Sequence, residues 1–149
     1  RGETSCTEEM KRIPRQLPAL LRSEKIQVKG RGAGFDGDDV SGAFQKIGEE
    51  IEELEEARLE QNAEHIRHEV GDVLFAAVNI ARFLNVDPEE ALNAASERFI
   101  RRFSSVEDEA NLASRALESM SLDELNQLWE LAKEKEREEC RKADAGGKK

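Results

Sequence analysis

Two acidic stretches on either side of residue 61 constrain the fold of this chain more than any other feature. In helical conformation Glu50 and Glu53 are one turn apart and share a face, and the same holds for Glu69 and Asp72. Residues at the same level of an antiparallel helical hairpin lie equally far along the chain from its turn. Glu50 pairs in this way with Asp72, and Glu53 with Glu69. The sequence therefore predicts a hairpin that brings four carboxylates together, ~12 to 17 Å from its turn at 1.5 Å per residue.

Hydrophobic periodicity supports both helices of this hairpin. From residue 40 the apolar residues recur at spacings of four and three, which is typical of a helix with a narrow apolar stripe. The second helix, from about residue 63 to residue 84, has a wider apolar surface, which predicts that most of it is buried. The apolar positions are Val40, Phe44, Ile47, Ile51 and Leu54 in the first helix, and Ile66, Val70, Val73, Leu74, Ala77, Ile80, Ala81 and Leu84 in the second.

Start signals and composition predict further helices in the rest of the chain. Asp87, followed by Pro88, is typical of a helix start, and Ser121 begins a capping box. Because 38% of the residues are charged and 5% aromatic, the composition favours helices over a sheet. We expect an all-α protein, a bundle of about five helices around the hairpin. Its expected divisions are a polar lead-in at residues 1–16, a helical domain at residues 17–139 and a disordered tail at residues 140–149.

Charge and motif patterns exclude several classes of function. The net charge is −10, and residues 40–75 carry ten acidic and three basic side chains, so the protein repels nucleic acid. The glycine-rich segment at residues 30–37 lacks the Gly-Lys-Ser/Thr of a phosphate-binding loop. His65 and His68 precede Glu69 in an order that matches neither zinc-protease motif. We expect both histidines to be solvated or to contact metal ligands without binding the metal themselves.

The chain has neither a stretch of ~18 apolar residues nor a visible signal peptide, which predicts a cytoplasmic protein with no membrane partner. Two unclustered cysteines, Cys6 and Cys140, favour free thiols in a reducing compartment. No methionine precedes Arg1, which suggests a fragment of a longer polypeptide or a processed chain.

Converging carboxylates require a cation. Two like charges ~4 Å apart repel by about 4 kcal/mol at an effective dielectric of 20, so four acids would oppose folding unless something neutralises them. Oxygen-only ligands favour Mg²⁺, or Mn²⁺ in its place, over Zn²⁺. A solvated acidic helix face is the simpler alternative, and it fits residues 49–56, where six of eight residues are glutamates. It fits Glu69 and Asp72 less well, because they lie among apolar residues where an unpartnered carboxylate is costly.

Ordered motifs extend from about residue 10 to residue 135. They are Ile13-Pro14-x-x-Leu17-Pro18-Ala19-Leu20, Gly34-Phe35-Asp36, Glu49-Glu50-x-x-Glu53, Glu69-x-Gly71-Asp72-Val73-Leu74-Phe75, Val78-Asn79-Ile80-Ala81-Arg82, Asp87-Pro88-Glu89-x-Ala91-Leu92, Arg98-Phe99-x-x-Arg102-Phe103 and Trp129-x-x-x-Lys133. In this order they resemble the MazG family of all-α nucleoside triphosphate pyrophosphohydrolases, and in particular the C-terminal domain of its two-copy members.

The resemblance implies a metal site and a reaction. Glu50, Glu53, Glu69 and Asp72 would bind Mg²⁺, and Glu49 would be a further ligand or orient the attacking water. The implied reaction is hydrolysis of a nucleoside triphosphate between its α- and β-phosphates, which gives a nucleoside monophosphate and pyrophosphate. Family members form helical-bundle dimers, which implies a homodimer.

The resemblance also implies a substrate-binding set. Arg102, Lys133 and Arg98 would hold phosphates, and Asn79 and Trp129 would lie near the sugar or the base. This chain has arginine at position 98, where the family often has lysine. It also has a glycine at position 37, where the family often has an aromatic residue, which removes one means of base stacking.

Two other functions remain open from the sequence. A non-catalytic interaction module would keep the helical fold without turnover. A di-iron carboxylate bundle also uses acids on facing helices, but it needs Glu-x-x-His, and Asp72 stands in the histidine position.

Overall fold

The structure is a computed structural model that describes residues 4–37 and 39–147. Within these residues it has six α-helices, one short 3-10 helix and no strand, so the predicted all-α class is confirmed. Among the same residues, no helix is both long and apolar enough to cross a bilayer. The helices are α1 (Cys6–Arg12), α2 (Ala19–Gly32), α3 (Val40–Glu60), α4 (Ala63–Phe83), α5 (Pro88–Leu112), the 3-10 helix (Leu117–Ser119) and α6 (Leu122–Gly146).

Helical structure extends beyond the expected domain limits at both ends. In the lead-in, the hydroxyl of Ser5 accepts a hydrogen bond from the backbone N–H of Glu8 at 3.1 Å and starts α1. At the other end α6 continues to Gly146, because the lysine, arginine and alanine residues of its last turns favour helix. Residues 140–146, where the sequence predicts a disordered tail, are thus part of α6 in the structure. Residues 1–3, 148 and 149 lie outside the described part of the chain.

The chain divides into two compact units, and the boundary between residues 92 and 93 falls inside α5. In the first unit α3 packs against α4, α4 also contacts α2, and α2 contacts α1. The second unit contains the rest of α5, the 3-10 helix and α6, with Val106 and Ala132 buried. There Phe99 packs against Phe103 and Trp129, with ring centroids 6.0 and 5.1 Å apart.

The hairpin turns at the predicted residue. Gln61 ends α3 in the left-handed conformation, with φ of 56°. The side-chain oxygen of Asn62 then accepts a hydrogen bond from the backbone N–H of His65 at 3.1 Å and starts α4. Both α3 and α4 therefore begin where the sequence predicts them, at residues 40 and 63.

The buried face of α3 is a stripe of small residues with a glutamate at its centre. Ala43, Glu50 and Ala57 are its buried residues, at intervals of seven, and Glu69 and Ala76 repeat that interval on α4. Small residues at an interface let two helices approach closely. Since side chains seven apart lie on one face, the stripe directs the carboxylates of Glu50 and Glu69 toward the helix interface.

The wide apolar surface predicted for α4 is only partly buried within the single chain, and so is the narrow apolar stripe of α3. On α4, Val70 and Leu74 are 41% and 54% exposed, and on α3, Phe44 and Ile51 are 53% and 51% exposed. The periodicity identifies apolar positions, but it does not show which of them the same chain covers. Large exposed apolar side chains on adjacent helices are typical of an interaction surface.

An ion pair joins the loop after α2 to α4. Arg82 Nη2 donates a hydrogen bond to Asp36 Oδ1 at 2.8 Å, and the side chains are 7% and 17% exposed. This hydrogen bond from Arg82 holds the pKa of Asp36 below its ordinary value.

We expect Asp36→Asn to lower the melting temperature at neutral pH by a few degrees. An acid whose pKa is lowered by folding stabilises the protein fully above its unfolded pKa, and this contribution is lost as pH falls through the folded pKa. The difference between variant and wild type should therefore shrink as the pH is lowered from about 7 to about 3. Thermal unfolding across this range measures it, with Glu56→Gln on the exposed face of α3 as the control. A difference that is constant with pH would contradict the role of the ion pair.

Candidate metal centre

Three glutamates from the hairpin form a carboxylate cluster. Glu50 and Glu53 on α3 and Glu69 on α4 each place one carboxylate oxygen within 4.8 Å of the other two. Glu50 and Glu69 are each 5% exposed, whereas Glu53 is exposed. The cluster therefore has a buried side, formed by two acids, and a solvent side.

The buried side contains carboxylate oxygens without hydrogen bonds. Glu50 Oε1 lies 2.7 Å from Lys46 Nζ, and Glu69 Oε1 lies 3.4 Å from His65 Nε2. The second oxygen of each glutamate is buried and has no hydrogen-bond partner among the described residues. Such oxygens are costly to bury, and a divalent cation that coordinates them removes this cost. Because the cluster offers only oxygen donors, it suits a hard cation such as Mg²⁺.

The two buried glutamates differ in how readily they ionise. Burial raises the pKa of Glu69, and the charge of Glu53 raises it further. A hydrogen bond from the Lys46 ammonium, one helical turn earlier, lowers the pKa of Glu50 despite its burial. Of these two acids, Glu69 therefore has the greater need of a cation in its ionised form.

Asp72 groups with a histidine. Its Oδ2 lies 3.1 Å from His68 Nε2, and His68, Glu69 and Asp72 each present a ligand atom within 4.8 Å of the others. We call these three residues the histidine group. Glu69 belongs to both groups, so the four acids predicted to form one site are divided between two overlapping sets of ligands.

Glu49 is next to the cluster in sequence, and Asn79 lies near it in space. Glu49 is exposed, and its carboxylate accepts a hydrogen bond of 3.4 Å from the side chain of Gln45. Asn79 Oδ1 accepts a hydrogen bond of 2.7 Å from Arg82 Nη2. A cleft of ≈ 810 Å³ in the first unit is lined by Asn79 together with Glu50 and Asp72. Its apolar lining includes Met10, Ile26, Phe35, Phe75 and Ala76.

The other predicted site residues lie in the second unit. Arg102 Nε donates to Glu136 Oε2 at 3.0 Å, and its guanidinium carbon lies 5.9 Å from the centre of the Trp129 ring. Lys133 Nζ lies 3.5 Å from a carboxylate oxygen of the glutamate one turn earlier, and Arg98 is exposed. The structure thus brings Arg102 and Trp129 together, as a cation over an aromatic ring.

Three close contacts of the site are absent from the predicted set. All three join residues four apart on one helix, where side chains are neighbours, so the spacing was the available signal. Both histidines contact predicted metal ligands, which agrees with the expectation that they could support those ligands. The pairs are Lys46 with Glu50, His65 with Glu69 and His68 with Asp72.

Comparison with known proteins identifies the family. A family model for the MazG nucleotide pyrophosphohydrolase domain matches residues 41–106. The chain is 40% identical over 117 residues to the nucleoside triphosphate pyrophosphohydrolase/pyrophosphatase MazG of Thermotoga maritima. These residues are 78% of this chain and 45% of that protein. It is 39% identical over 128 residues to the nucleoside triphosphate pyrophosphohydrolase of Escherichia coli K12, which covers 83% and 48%. The chain belongs to the MazG family.

The MazG match begins near the start of α3 and ends within α5. It includes both ligand groups, whereas Trp129 and Lys133 lie beyond it. A further relative, the uncharacterized protein YabN of Bacillus subtilis, is 42% identical over 126 residues, which are 84% of this chain and 26% of that protein. The chain spans about half the length of the Thermotoga and Escherichia relatives.

Proposed function

We propose that this chain hydrolyses nucleoside triphosphates to nucleoside monophosphates and pyrophosphate with Mg²⁺. One observation carries the proposal: Glu50 and Glu69 are buried between the helices of a MazG domain, each with an oxygen that has no partner in the described residues. Packing alone gives no reason to bury such carboxylates, whereas a cation-dependent hydrolase needs them. The names of the relatives support the class of substrate.

The acids of the hairpin have distinct roles in this proposal. Glu50, Glu53, Glu69 and Asp72 would hold Mg²⁺, or Mn²⁺ in its place. When bound, the cation screens the triphosphate and supplies Lewis-acid polarisation of its phosphoryl oxygens. Glu49 directly precedes Glu50 of the buried stripe but is itself exposed. Its carboxylate is therefore accessible to orient the attacking water.

We assign the nucleoside to the cleft beside the carboxylate cluster. Its volume is within the ordinary range for small-molecule sites, and its mainly apolar lining suits a base. Asn79 offers this cleft an amide for the sugar or the base. Arg98, Arg102 and Lys133 are assigned to the phosphates from their charge and from the resemblance, and Trp129 to the sugar or the base.

We further propose that the protein is a homodimer. The exposed side chains of Phe44, Ile51, Val70 and Leu74 lie on the two helices of the hairpin, and a second copy would bury them. The cytoplasmic location and the absence of nucleic-acid and membrane partners stay predictions from the sequence.

Product analysis with a panel of ribo- and deoxyribonucleoside triphosphates tests the activity. With Mg²⁺ we expect nucleoside monophosphate and pyrophosphate in equal amounts, and we expect chelation of the metal to stop the reaction. Nucleoside diphosphate and phosphate as products would contradict cleavage at the α-phosphate. No product from any triphosphate would favour the non-catalytic module, and tightly held iron would favour the di-iron alternative.

A further inference from the structure

The cleft beside the carboxylate cluster contains an amide oxygen that no group in the described part of the chain satisfies. Gln27 on α2 lines this cleft, and its Nε2 donates a hydrogen bond to the backbone oxygen of Phe75 on α4 at 2.9 Å. That bond uses the nitrogen end of the amide. Gln27 Oε1 is buried and has no hydrogen-bond partner among the described residues. A buried acceptor of this kind is costly unless a ligand donates to it.

The same cleft also contains an unpaired donor. Arg82 on α4 lines it, and Arg82 Nη2 donates to Asp36 at 2.8 Å and to Asn79 at 2.7 Å. The Arg82 side chain is 7% exposed, and its Nε is buried without a partner in the part of the chain that the structure describes. Because the Asp36 carboxylate pairs with the guanidinium, this end of the cleft offers a hydrogen bond rather than a net positive charge.

An unpaired acceptor and an unpaired donor in one cleft suit a neutral heterocycle better than a phosphate. Phosphate oxygens only accept hydrogen bonds, so they would repel the oxygen of Gln27. A nucleobase has both donors and acceptors on its edges, and the mainly apolar lining suits the faces of its ring. Because Phe75 lies between Asp72 and Arg82 on α4, the amide that contacts it lies between the proposed metal ligands and the arginine.

We propose that Gln27 selects nucleotides whose base carries an exocyclic amino group, and this selection rests on the proposed function of the cleft. Adenine and cytosine have an amino group where hypoxanthine and uracil have a carbonyl oxygen. An amino group donates to Gln27 Oε1, whereas a carbonyl oxygen repels it and leaves it unpaired. Arg82 Nε–H finds an acceptor on either kind of base, so it positions the base without selecting between them.

The contact with α4 keeps the amide of Gln27 in one orientation. If the amide turned round, its oxygen would face the backbone oxygen of Phe75, and neither oxygen would have a donor. Gln27 is only half-buried, so a small rotation of its side chain brings Oε1 to a ligand in the cleft. The oxygen is therefore accessible to a base but is not replaced by the amide nitrogen.

Two matched pairs of nucleotides test this selection. AMP and IMP differ in whether the base has an amino group or a carbonyl oxygen, and so do CMP and UMP. Calorimetry with these monophosphates requires no turnover. We expect the wild type to bind the amino member of at least one pair roughly tenfold or more tightly than the carbonyl member. Initial rates with ATP, ITP, CTP and UTP give the same comparison in the presence of Mg²⁺.

The variant Gln27→Met keeps the length of the side chain but has no amide. We expect its preference within each pair to fall below about twofold, because the selecting acceptor is gone. Gln16→Met is the matched control, since Gln16 is exposed and lies outside the residues that line the cleft. It should keep the wild-type preference. Circular dichroism checks that both variants keep their helices.

Binding and turnover separate this proposal from the proposed function. Equal binding of both members of each pair by the wild type, or no binding of any of them, would overturn the selection. A preference that survives in Gln27→Met would overturn the role of Gln27. A preference in binding that depends on Gln27 would support the selection, even if no triphosphate is cleaved.

Discussion

Alanine in place of Glu53 or Asp72 should reduce nucleoside triphosphate turnover by about 10²- to 10³-fold, the usual cost of losing one group that stabilises charge in the transition state. Each residue belongs to a different ligand group, and the two groups meet at Glu69. Glu53 is exposed and the Asp72 side chain is 43% exposed, so neither truncation leaves a buried cavity. The helical circular dichroism spectrum should therefore stay unchanged while turnover is lost.

Glu52→Ala provides the matched control for both variants. Glu52 is an exposed acid on α3 next to Glu53, so its removal changes the net charge equally without removing a proposed ligand. Initial rates with Mg²⁺ and a preferred triphosphate compare the three variants. Wild-type rates in Glu53→Ala and Asp72→Ala would show that the ligands are misassigned. An equal loss in Glu52→Ala would show that the general charge of α3 is what matters.

Glutamine in place of Glu69 should stabilise the metal-free protein and abolish the rise in melting temperature that Mg²⁺ causes. Burial and the charge of Glu53 raise the pKa of Glu69, so the folded protein keeps this proton to higher pH than the unfolded chain does. The free energy of unfolding therefore falls as pH rises above the unfolded pKa of Glu69. The fall is complete above the folded pKa. Glutamine has the same shape without the charge, and its amide oxygen still faces His65, so it removes this cost.

Thermal unfolding with chelator or with Mg²⁺, at about pH 5 and about pH 8, measures the effect. Without metal, the variant should exceed the wild type by a few degrees, and the excess should be larger at the higher pH. Mg²⁺ should raise the melting temperature of the wild type and of the control Glu52→Gln, because it binds only the folded state. A metal-free variant that melts below the wild type at the higher pH, or that keeps the full response to Mg²⁺, would contradict this role of Glu69.

The hairpin could be predicted from the sequence because its signals are local. Apolar spacing of three and four depends on residues within a few positions of one another, and so does the helix start at Asp87 after the hairpin. The equal distances from residue 61 then place Glu53 beside Glu69, and the structure has both in one cluster. The tail differs from the expectation because its position at the chain terminus predicts disorder, whereas its lysine, arginine and alanine residues favour helix.

Two aspects of the site are not local, and the sequence did not reveal them. The first is which face of α3 is covered: Ala43 and Ala57 are buried there, while Phe44 is more than half exposed, because contact between helices is decided by how closely they approach. The second is the partner of Asp72. Asp72 could contact a residue on its own helix or one across the hairpin. In the structure it contacts His68, four residues earlier on α4. Spacing alone does not rank such alternatives.

The buried alanines of α3, Ala43 and Ala57, affect the distance between the carboxylates although they are neither ligands nor catalytic groups. Ala57 is completely buried, at 0% exposure, and lies one turn beyond Glu53. A larger side chain there would act as a wedge between α3 and α4, because the interior has no space to absorb it. The acids would then move apart although every one of them is still present. The small size of the Ala57 side chain thus sets how closely the carboxylates of α3 and α4 approach each other.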